Sequence, residues 1–370
     1  MTKRKIINDP VYDGFLSIED PVILQVIEHP YFQRQRRIKQ LGLTYLVYPG
    51  AMHTRFSHML GALNLMKRAL ETLKQKGVEI TDEECRGAKL AILLHDIGHG
   101  PFSHTSERVL VDVPHEEITL LMMQRINEEM GGALDTAIDI FSNTYHKHFL
   151  HQLVSSQLDM DRLDYLGRDS FFTGVSEGIV GTDRIISMLN VHDDELVVDE
   201  KGIYSVEKFI ISRRLMYWQV YMHKTVIAAD QLLLNILRRA RDLNVSPFTF
   251  HLSPFDLDRF AEVDDDDIMV AVKHWQHSDD EILSTLCKNM VNRRLPAIRF
   301  NTEPFPEPAP SYFEGTGKLA NRSYDFNDQE IKVLYKDGRC LPISEASDQL
   351  DRHFLEKQVT KYFYYFPKES

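Results

Sequence analysis

Cysteine is scarce in this 370-residue chain: Cys85, Cys287 and Cys340 stand far apart, with no Cys-x-x-Cys pair. That excludes a disulfide framework and a thiolate zinc site, and leaves buried or half-buried thiols. Long apolar runs are missing too, so no membrane span is expected. The N-terminus MTKRKIINDP has no apolar stretch behind its basic residues, which argues against a secretory signal and for a cytoplasmic protein. In such a protein the Asn-x-Ser triplets at Asn244 and Asn321 are chance matches. Positive charge is in deficit, with 43 Lys and Arg against 55 Asp and Glu and a net charge of −12. A long phosphate backbone would meet net repulsion, so strong nucleic-acid binding is not expected, although one local pocket can still hold a small anion. There is no Gly-x-x-x-x-Gly-Lys-Ser/Thr loop, no Gly-x-Gly-x-x-Gly after a strand and no Gly-x-Ser-x-Gly elbow. Internal repeats and low-complexity tracts are absent as well.

What is present is an ordinary globular mixture, 43% hydrophobic and 26% charged. The first 245 residues carry helical periodicity, over Pro21 to Gln40, Arg55 to Lys76 and Asp82 to His95, the last with Asp82 as N-cap. Further helices are expected at Glu116 to Glu129, Ala133 to Ser142 and His148 to Ser156. Leu189 to Ser205 reads as an inserted hairpin around Asp193-Asp194 and Gly202. Val206 to Leu243, free of Gly and Pro, reads as one long helix or two nearly continuous ones. After Ser246 the character changes. The run Asp264 to Asp267 suits a solvated helix start, and Glu303 to Pro310 a loop. Ile331 to Tyr335 and Cys340 to Ile343 flank Asp337-Gly338 as a hairpin. Tyr362 to Phe366 is a strand expected to cover an edge or a subunit surface. The expected division is residues 1–245 as core and 246–370 as an α+β region of unknown role, packed on the core or at a subunit interface.

The most informative text is LLHDIGHGPFSH, Leu93 to His104. An apolar helix delivers His95 and Asp96 at its C-terminal end, and Gly98 and Gly100 are expected to let the chain turn. Neighbouring helical residues point about 100° apart, so one ion can take a nitrogen from one and an oxygen from the other. His99, His104 and His115 follow, and His53 and His58 precede in HTRFSH. An octahedral ion needs further ligands and open positions for water and substrate. The carboxylates of LDMDRLDYLGRD are candidates: Asp159, Asp161, Asp164 and Asp169. Asp161 and Asp164 share a helical face and Asp159 suits an N-cap; spacing alone does not choose among them.

The series RFSHMLG (Arg55 to Gly61), HDIGHGPFSH (His95 to His104), PHEE (Pro114 to Glu117) and DMDRLDYLGRD (Asp159 to Asp169) resembles the HD-domain dNTP triphosphohydrolases. That family includes the human SAM-and-HD-domain enzyme and bacterial dGTP triphosphohydrolase-like HD phosphohydrolases. KIINDP (Lys5 to Pro10), FQRQRRIKQLG (Phe32 to Gly42), YPGAMHTRF (Tyr48 to Phe56) and QVYMHK (Gln219 to Lys224) extend the likeness over Lys5 to Lys224. The resemblance implies a mainly α fold: an HD-domain helical core, here with a small β-hairpin insertion and a mixed α+β C-terminal region. It makes His58, His95, Asp96 and Asp161 the metal ligands. The divalent ion is Mn, Fe, Mg, Zn or Ni, which this donor set does not distinguish.

His104 would be the general acid, oriented by Glu107 three residues on, where the relatives have Asp. His99, His115 and Glu116 would line the phosphate path, with access to a bridging water or a second metal. Arg55, Arg162 (often Lys in the family), Arg213 and Lys224 would bind phosphates. Gln40, Leu41, Tyr165 and Asp169 would meet the deoxyribose, and Tyr217 and Tyr221 would border the base. Tyr217 stands where the family has His, which leaves base preference open. The implied reaction releases deoxynucleoside and inorganic triphosphate. Lys5, Asn8 and Phe32 to Gln40 resemble text that binds an activating nucleotide, and a homo-oligomer, dimer or tetramer, is expected. The alternatives are an HD phosphohydrolase acting on another nucleotide or phosphoester, and a nucleotide or nucleic-acid binding module with little turnover.

Overall fold

The computed structural model describes residues 4–368 apart from 13, 104, 106–108, 112, 246–255, 323 and 327–329. The chain opens with antiparallel strands β1 (Lys5–Asn8) and β2 (Phe15–Ile18), Lys5 opposite Ile18. The single helix expected over Pro21 to Gln40 is interrupted. Asp20 caps α1 (Pro21–Glu28), but Pro30 has no N–H to give and pushes His29 into extended backbone (ψ 139°). The same His29 accepts from Tyr31 N and starts α2 (Pro30–Arg34). A 3-10 turn follows, and Lys39 pairs with Thr54 in an isolated bridge.

The core is built on α3 (Arg55–Gln75) and α4 (Asp82–Leu94). The N-cap of α4 is Thr81, not Asp82. Thr81 accepts from Glu84 N and Glu84 accepts from Thr81 N, a closed pair that Asp82, on the exposed first turn, does not form. Then come α5 (His115–Glu129), α6 (Asp135–Phe141), α7 (His148–Val154), α8 (Met160–Thr173) and α9 (Thr182–Met188). Strands β3 (Leu189–His192) and β4 (Glu195–Asp199) form the inserted hairpin. Asp193 and Asp194 supply the left-handed turn, whereas Gly202 falls outside it in a 3-10 turn. The Gly-free stretch is two helices, α10 (Ile203–Met216) and α11 (Lys224–Asp242), joined through a π-turn at Tyr217–Tyr221 and an extended His223.

Helices α12 (Leu257–Glu262), α13 (Asp265–Trp275) and α14 (Glu281–Val291) pack into the same hydrophobic core as α3 and α4. Three-stranded β5 (Ala297–Asn301)–β9 (Gln358–Phe366)–β6 (Gly315–Arg322) is antiparallel. The tail strand is therefore the centre of a sheet rather than the cover of an edge, and its Phe363 and Tyr365 pack on Ile227. The hairpin β7 (Lys332–Leu334) and β8 (Cys340–Pro342) turns at Gly338 and joins β3–β4 through a parallel β4–β7 pairing. No helix among the described residues is long and apolar enough to cross a membrane.

Candidate active site

Three separate helices bring four side chains together. His58 projects from the first turn of α3, His95 and Asp96 from the C-terminal end of α4, and Asp161 from the first turn of α8. The His58 and His95 Nε2 atoms are 3.4 Å apart, and Asp161 Oδ1 lies 3.1 Å from the first and 3.3 Å from the second. Asp96 closes the group, 3.5 Å from His95 Nε2 and 3.7 Å from His58 Nε2. Both rings are fixed from behind. His58 Nδ1 meets Asp164 Oδ2 at 2.7 Å, and His95 Nδ1 meets the Ile92 carbonyl at 2.7 Å, one turn back on its own helix. A proton on each Nδ1 leaves each Nε2 lone pair facing the same small space, the arrangement of oriented imidazole ligands.

The electrostatics agree. Burial opposes charge on His58, yet hydrogen bonds to Asp161 and Asp164 outweigh it and raise its pKa to about 10. Burial also works against a His95 imidazolium, and Asp96 and Asp161 overcome it. Asp161, which burial alone would protonate, is held well below the ordinary carboxylate range by His95 and His58. A field that charges two buried imidazoles is one that a divalent cation fits, and His58, His95 and Asp161 together could hold one.

Asp96 faces a second set of donors. Its Oδ1 is 3.4 Å from His99 Nδ1, the His99 and His115 ring centroids are 3.9 Å apart, and the three residues form another group able to hold a cation. Glu116 lies 3.3 Å from His115 Nε2, with its carboxylate largely exposed. Arg55, expected on phosphate, is buried and held by Asp96 and by Ser103 Oγ at 3.0 Å, so its guanidinium supports a carboxylate of the four-residue group. Arg162 pairs with Asp159, which caps α8 as expected. Tyr165, Tyr217 and Tyr221 make an aromatic wall, with Tyr221 centroids 6.3 and 5.1 Å from the other two. Arg213 flanks Tyr217, and Lys224 is exposed at the start of α11. Asp169, expected on the sugar, is 1% exposed, with its oxygens already accepting from His53 and from Tyr221 OH at 2.7 Å; a sugar hydroxyl would be a further, shared donor. Gln40 and Leu41 are half-buried, and Gln40 Oε1 has no hydrogen-bond partner among the described residues. His104 and Glu107 lie outside the described residues.

Comparison with known proteins matches residues 55–169 to the HD domain and 180–301 to the HD associated region. A protein of Bacillus subtilis, YwfO, itself uncharacterized, is 33% identical over all of this chain and 93% of its own length. A crystal structure named as a phosphohydrolase from Bacteroides thetaiotaomicron is 46% identical, with TM-score 0.94 over 99% of this chain and 100% of its own. The chain belongs to the HD-domain phosphohydrolases. This phosphohydrolase is also similar to human deoxynucleoside triphosphate triphosphohydrolase SAMHD1. The two are 29% identical over 64% of this chain, a match that spans 45% of the human protein.

Several residues inside the quoted motifs have supporting roles that the motifs did not indicate. Asp164 binds His58, Arg168 and the Tyr12 hydroxyl, and Arg168 in turn holds Asp9. Gly61 leaves the room: a methyl there would collide with Asp164 and Arg168. The acidic run at 264–267, expected to be solvated, is partly interior. Asp264 and Asp265 are 4% and 0% exposed, and Asp265 accepts from Phe102 N at 2.7 Å and Lys39 N at 2.9 Å. Gly98 lies within the Asp96–His99 turn and the Gly100 carbonyl accepts from Ser103 N at 3.0 Å, but neither glycine takes a left-handed φ. Phe102 and Ser103 adopt the left-handed region (φ 54° each), a conformation that costs non-glycine residues about 1–2 kcal/mol apiece. Gly98 is required for another reason, close approach to the backbone of α5 at His115 and Thr119. The one available signal for Asp265 was four consecutive aspartates in a segment with no motif, and composition does not separate a clamp from a solvated face.

Proposed function

We propose that this HD-domain phosphohydrolase hydrolyses deoxynucleoside triphosphates to deoxynucleoside and inorganic triphosphate. The observation that carries the proposal is the convergence of two Nε2 lone pairs with Asp96 and Asp161, each imidazole locked from behind. A divalent ion held by His58, His95, Asp96 and Asp161 would supply Lewis-acid polarisation of a phosphoryl oxygen. The protein's own groups do the rest. Arg55 keeps Asp96 ionised and in place. Arg162, Arg213 and Lys224 would receive a polyanion. His99 and His115 border the path beside Asp96. His104, for which the family resemblance gives Glu107 as partner, would give a proton to the departing 5′-oxygen as water attacks phosphorus. Gln40 Oε1, buried without a partner among the described residues, is an acceptor suited to a ligand hydroxyl, and the Tyr165–Tyr221–Tyr217 wall offers a face for sugar and base. The likeness to human SAMHD1 supports the same substrate class.

The test is product analysis. Metal-loaded enzyme is offered each of the four dNTPs, with and without GTP as activator, and the product is scored as triphosphate, pyrophosphate or orthophosphate. Free triphosphate is expected, together with loss of both bound metal and turnover in Asp161→Asn. Orthophosphate or pyrophosphate would move the activity to another phosphoester reaction. Nucleotide binding with no turnover of any dNTP would make the protein a binding module.

A further inference from the structure

The HD associated region does more than cover the HD domain. We propose that Asp265, the first residue of α13, is a positioning residue that holds both walls of the active site in register. Its carboxylate is fully buried, and its two oxygens go to different places: Oδ1 accepts from Phe102 N and Oδ2 from Lys39 N, with Lys39 Nζ 3.5 Å away. Phe102 belongs to the left-handed turn after the His-Asp pair. Lys39 precedes Gln40 and Leu41.

From these two anchors the contacts run inward without a gap. The Lys39 carbonyl accepts from Ser103 Oγ at 3.2 Å, Ser103 Oγ accepts from Arg55 Nε at 3.0 Å, and Arg55 grips Asp96. Gly42, in the left-handed region itself, packs against the Phe102 carbonyl from the other side. A second tie supports the same segment: Thr105 Oγ1 donates to Asp230 on α11 at 2.9 Å. Residues 102 and 105, on either side of position 104, are thus held by the associated region, and Ser103 by Lys39 and Arg55. Two consecutive non-glycine residues in the left-handed region persist only where their surroundings over-determine them, and Asp265 is the buried charge that does so. The consequence for turnover rests on the proposed role of His104; the consequence for geometry does not.

The experiment uses full-length metal-loaded protein with Asp265→Asn, which keeps the shape but places an NH2 against one of the two N–H donors. Asp264→Asn is the comparator: Asp264 caps the same helix and pairs with the half-exposed Arg37, away from the reacting groups. Asp265→Asn is expected to keep its bound metal and to lose kcat on the order of tenfold to a hundredfold, the scale of a small misplacement of reacting groups. Backbone hydrogen exchange should speed up in segments 39–42 and 98–103, while α13 stays protected. Asp264→Asn should lose similar thermal stability and stay within about twofold of wild-type kcat. Wild-type exchange in both segments, or an equal kcat loss in the two variants, would overturn the proposal. Should Asp265→Asn not fold, Asp265→Glu, which keeps the charge and displaces the carboxylate, carries the same expectation. If wild type hydrolyses no dNTP, the functional reading fails, and the exchange measurement still decides the clamp.

Discussion

Asp164 shows how much a single buried carboxylate can determine. It is wholly enclosed, and it receives His58 Nδ1, Arg168 Nε at 2.8 Å and the Tyr12 hydroxyl at 2.6 Å. Burial pushes its pKa up, but Arg168 and His58 pull it down to about 2. Asp164→Ala would leave Arg168 with Asp9 as its remaining carboxylate and take the buried acceptor from Arg168 Nε, His58 Nδ1 and the Tyr12 hydroxyl, so a loss of about 3 kcal/mol in unfolding free energy is expected by denaturant titration. Asp164→Asn keeps the volume but weakens the hold on the His58 ring, and metal affinity should drop roughly tenfold to a hundredfold. Unchanged affinity in a competitive metal titration would show that the ring is oriented by something else. Asp230 makes a different prediction, about pH. Burial raises its pKa to about 7, opposed only by the hydrogen bond from Thr105. An unfolded aspartate titrates near about 3.9, so between those values the folded state binds more protons, and stability falls as pH rises. Relative to wild type, Asp230→Asn should gain stability from pH 4.5 to 7.5, by on the order of 2 kcal/mol given the group's partial exposure. A difference between the two proteins that stays flat across that window would count against an enclosed, proton-binding Asp230.

At the scale of elements, what was legible followed from local chemistry. The helical periodicity of α3 and α4, the cap at Asp159 and the hairpin at Asp193-Asp194 were all readable, because each depends on residues within one turn of one another. The misplaced boundaries have equally local causes that competed. Pro30 broke a run whose apolar spacing looked continuous, and Thr81 took the cap from its neighbour by forming a closed pair with Glu84. Motif resemblance picked Asp161 from four nearby aspartates, and the geometry gives each of the others a different partner. The Phe102–Ser103 turn and the Asp265 clamp were not legible, because the stabilising partner lies 163 residues away. Gly98 tests the distinction between a flexible glycine and a close-packed one. Its φ is not in the left-handed region, but a methyl group would run into the backbone of His115 and Thr119, and its N–H donates to Thr119 Oγ1. Gly98→Ala should push α5 away from α4, at roughly 1–3 kcal/mol of overpacking, and lower the melting temperature. Full stability in a thermal melt would mean that α5 can yield at no cost.

For the whole molecule, the open question is whether residues 1–245 form a unit that can stand alone. The packing speaks against it. Arg34 is 1% exposed, and its guanidinium donates to the carbonyls of Val263 and His99, so one of the two acceptors of a buried charge in the first region comes from the second. Burial lowers its pKa to about 10, although Asp264 and Asp265 pull the other way. Leu257, Phe260, Val263, Ile268 and Val272 belong to the same hydrophobic cluster as Leu94, Ile97 and Phe102. Cutting after residue 245 would uncover that surface, leave Arg34 without one acceptor and remove both oxygens that hold Phe102 and Lys39. A 1–245 fragment is therefore expected to retain helix in far-ultraviolet circular dichroism, bind a hydrophobic dye, and lack a cooperative thermal transition. The full chain should unfold with Asp265 and the HD motif in one transition, because the contacts between them are buried on both sides. A sharp melt of the fragment, with metal bound at wild-type affinity, would show that the HD core organises its own site and that the associated region is an addition to it.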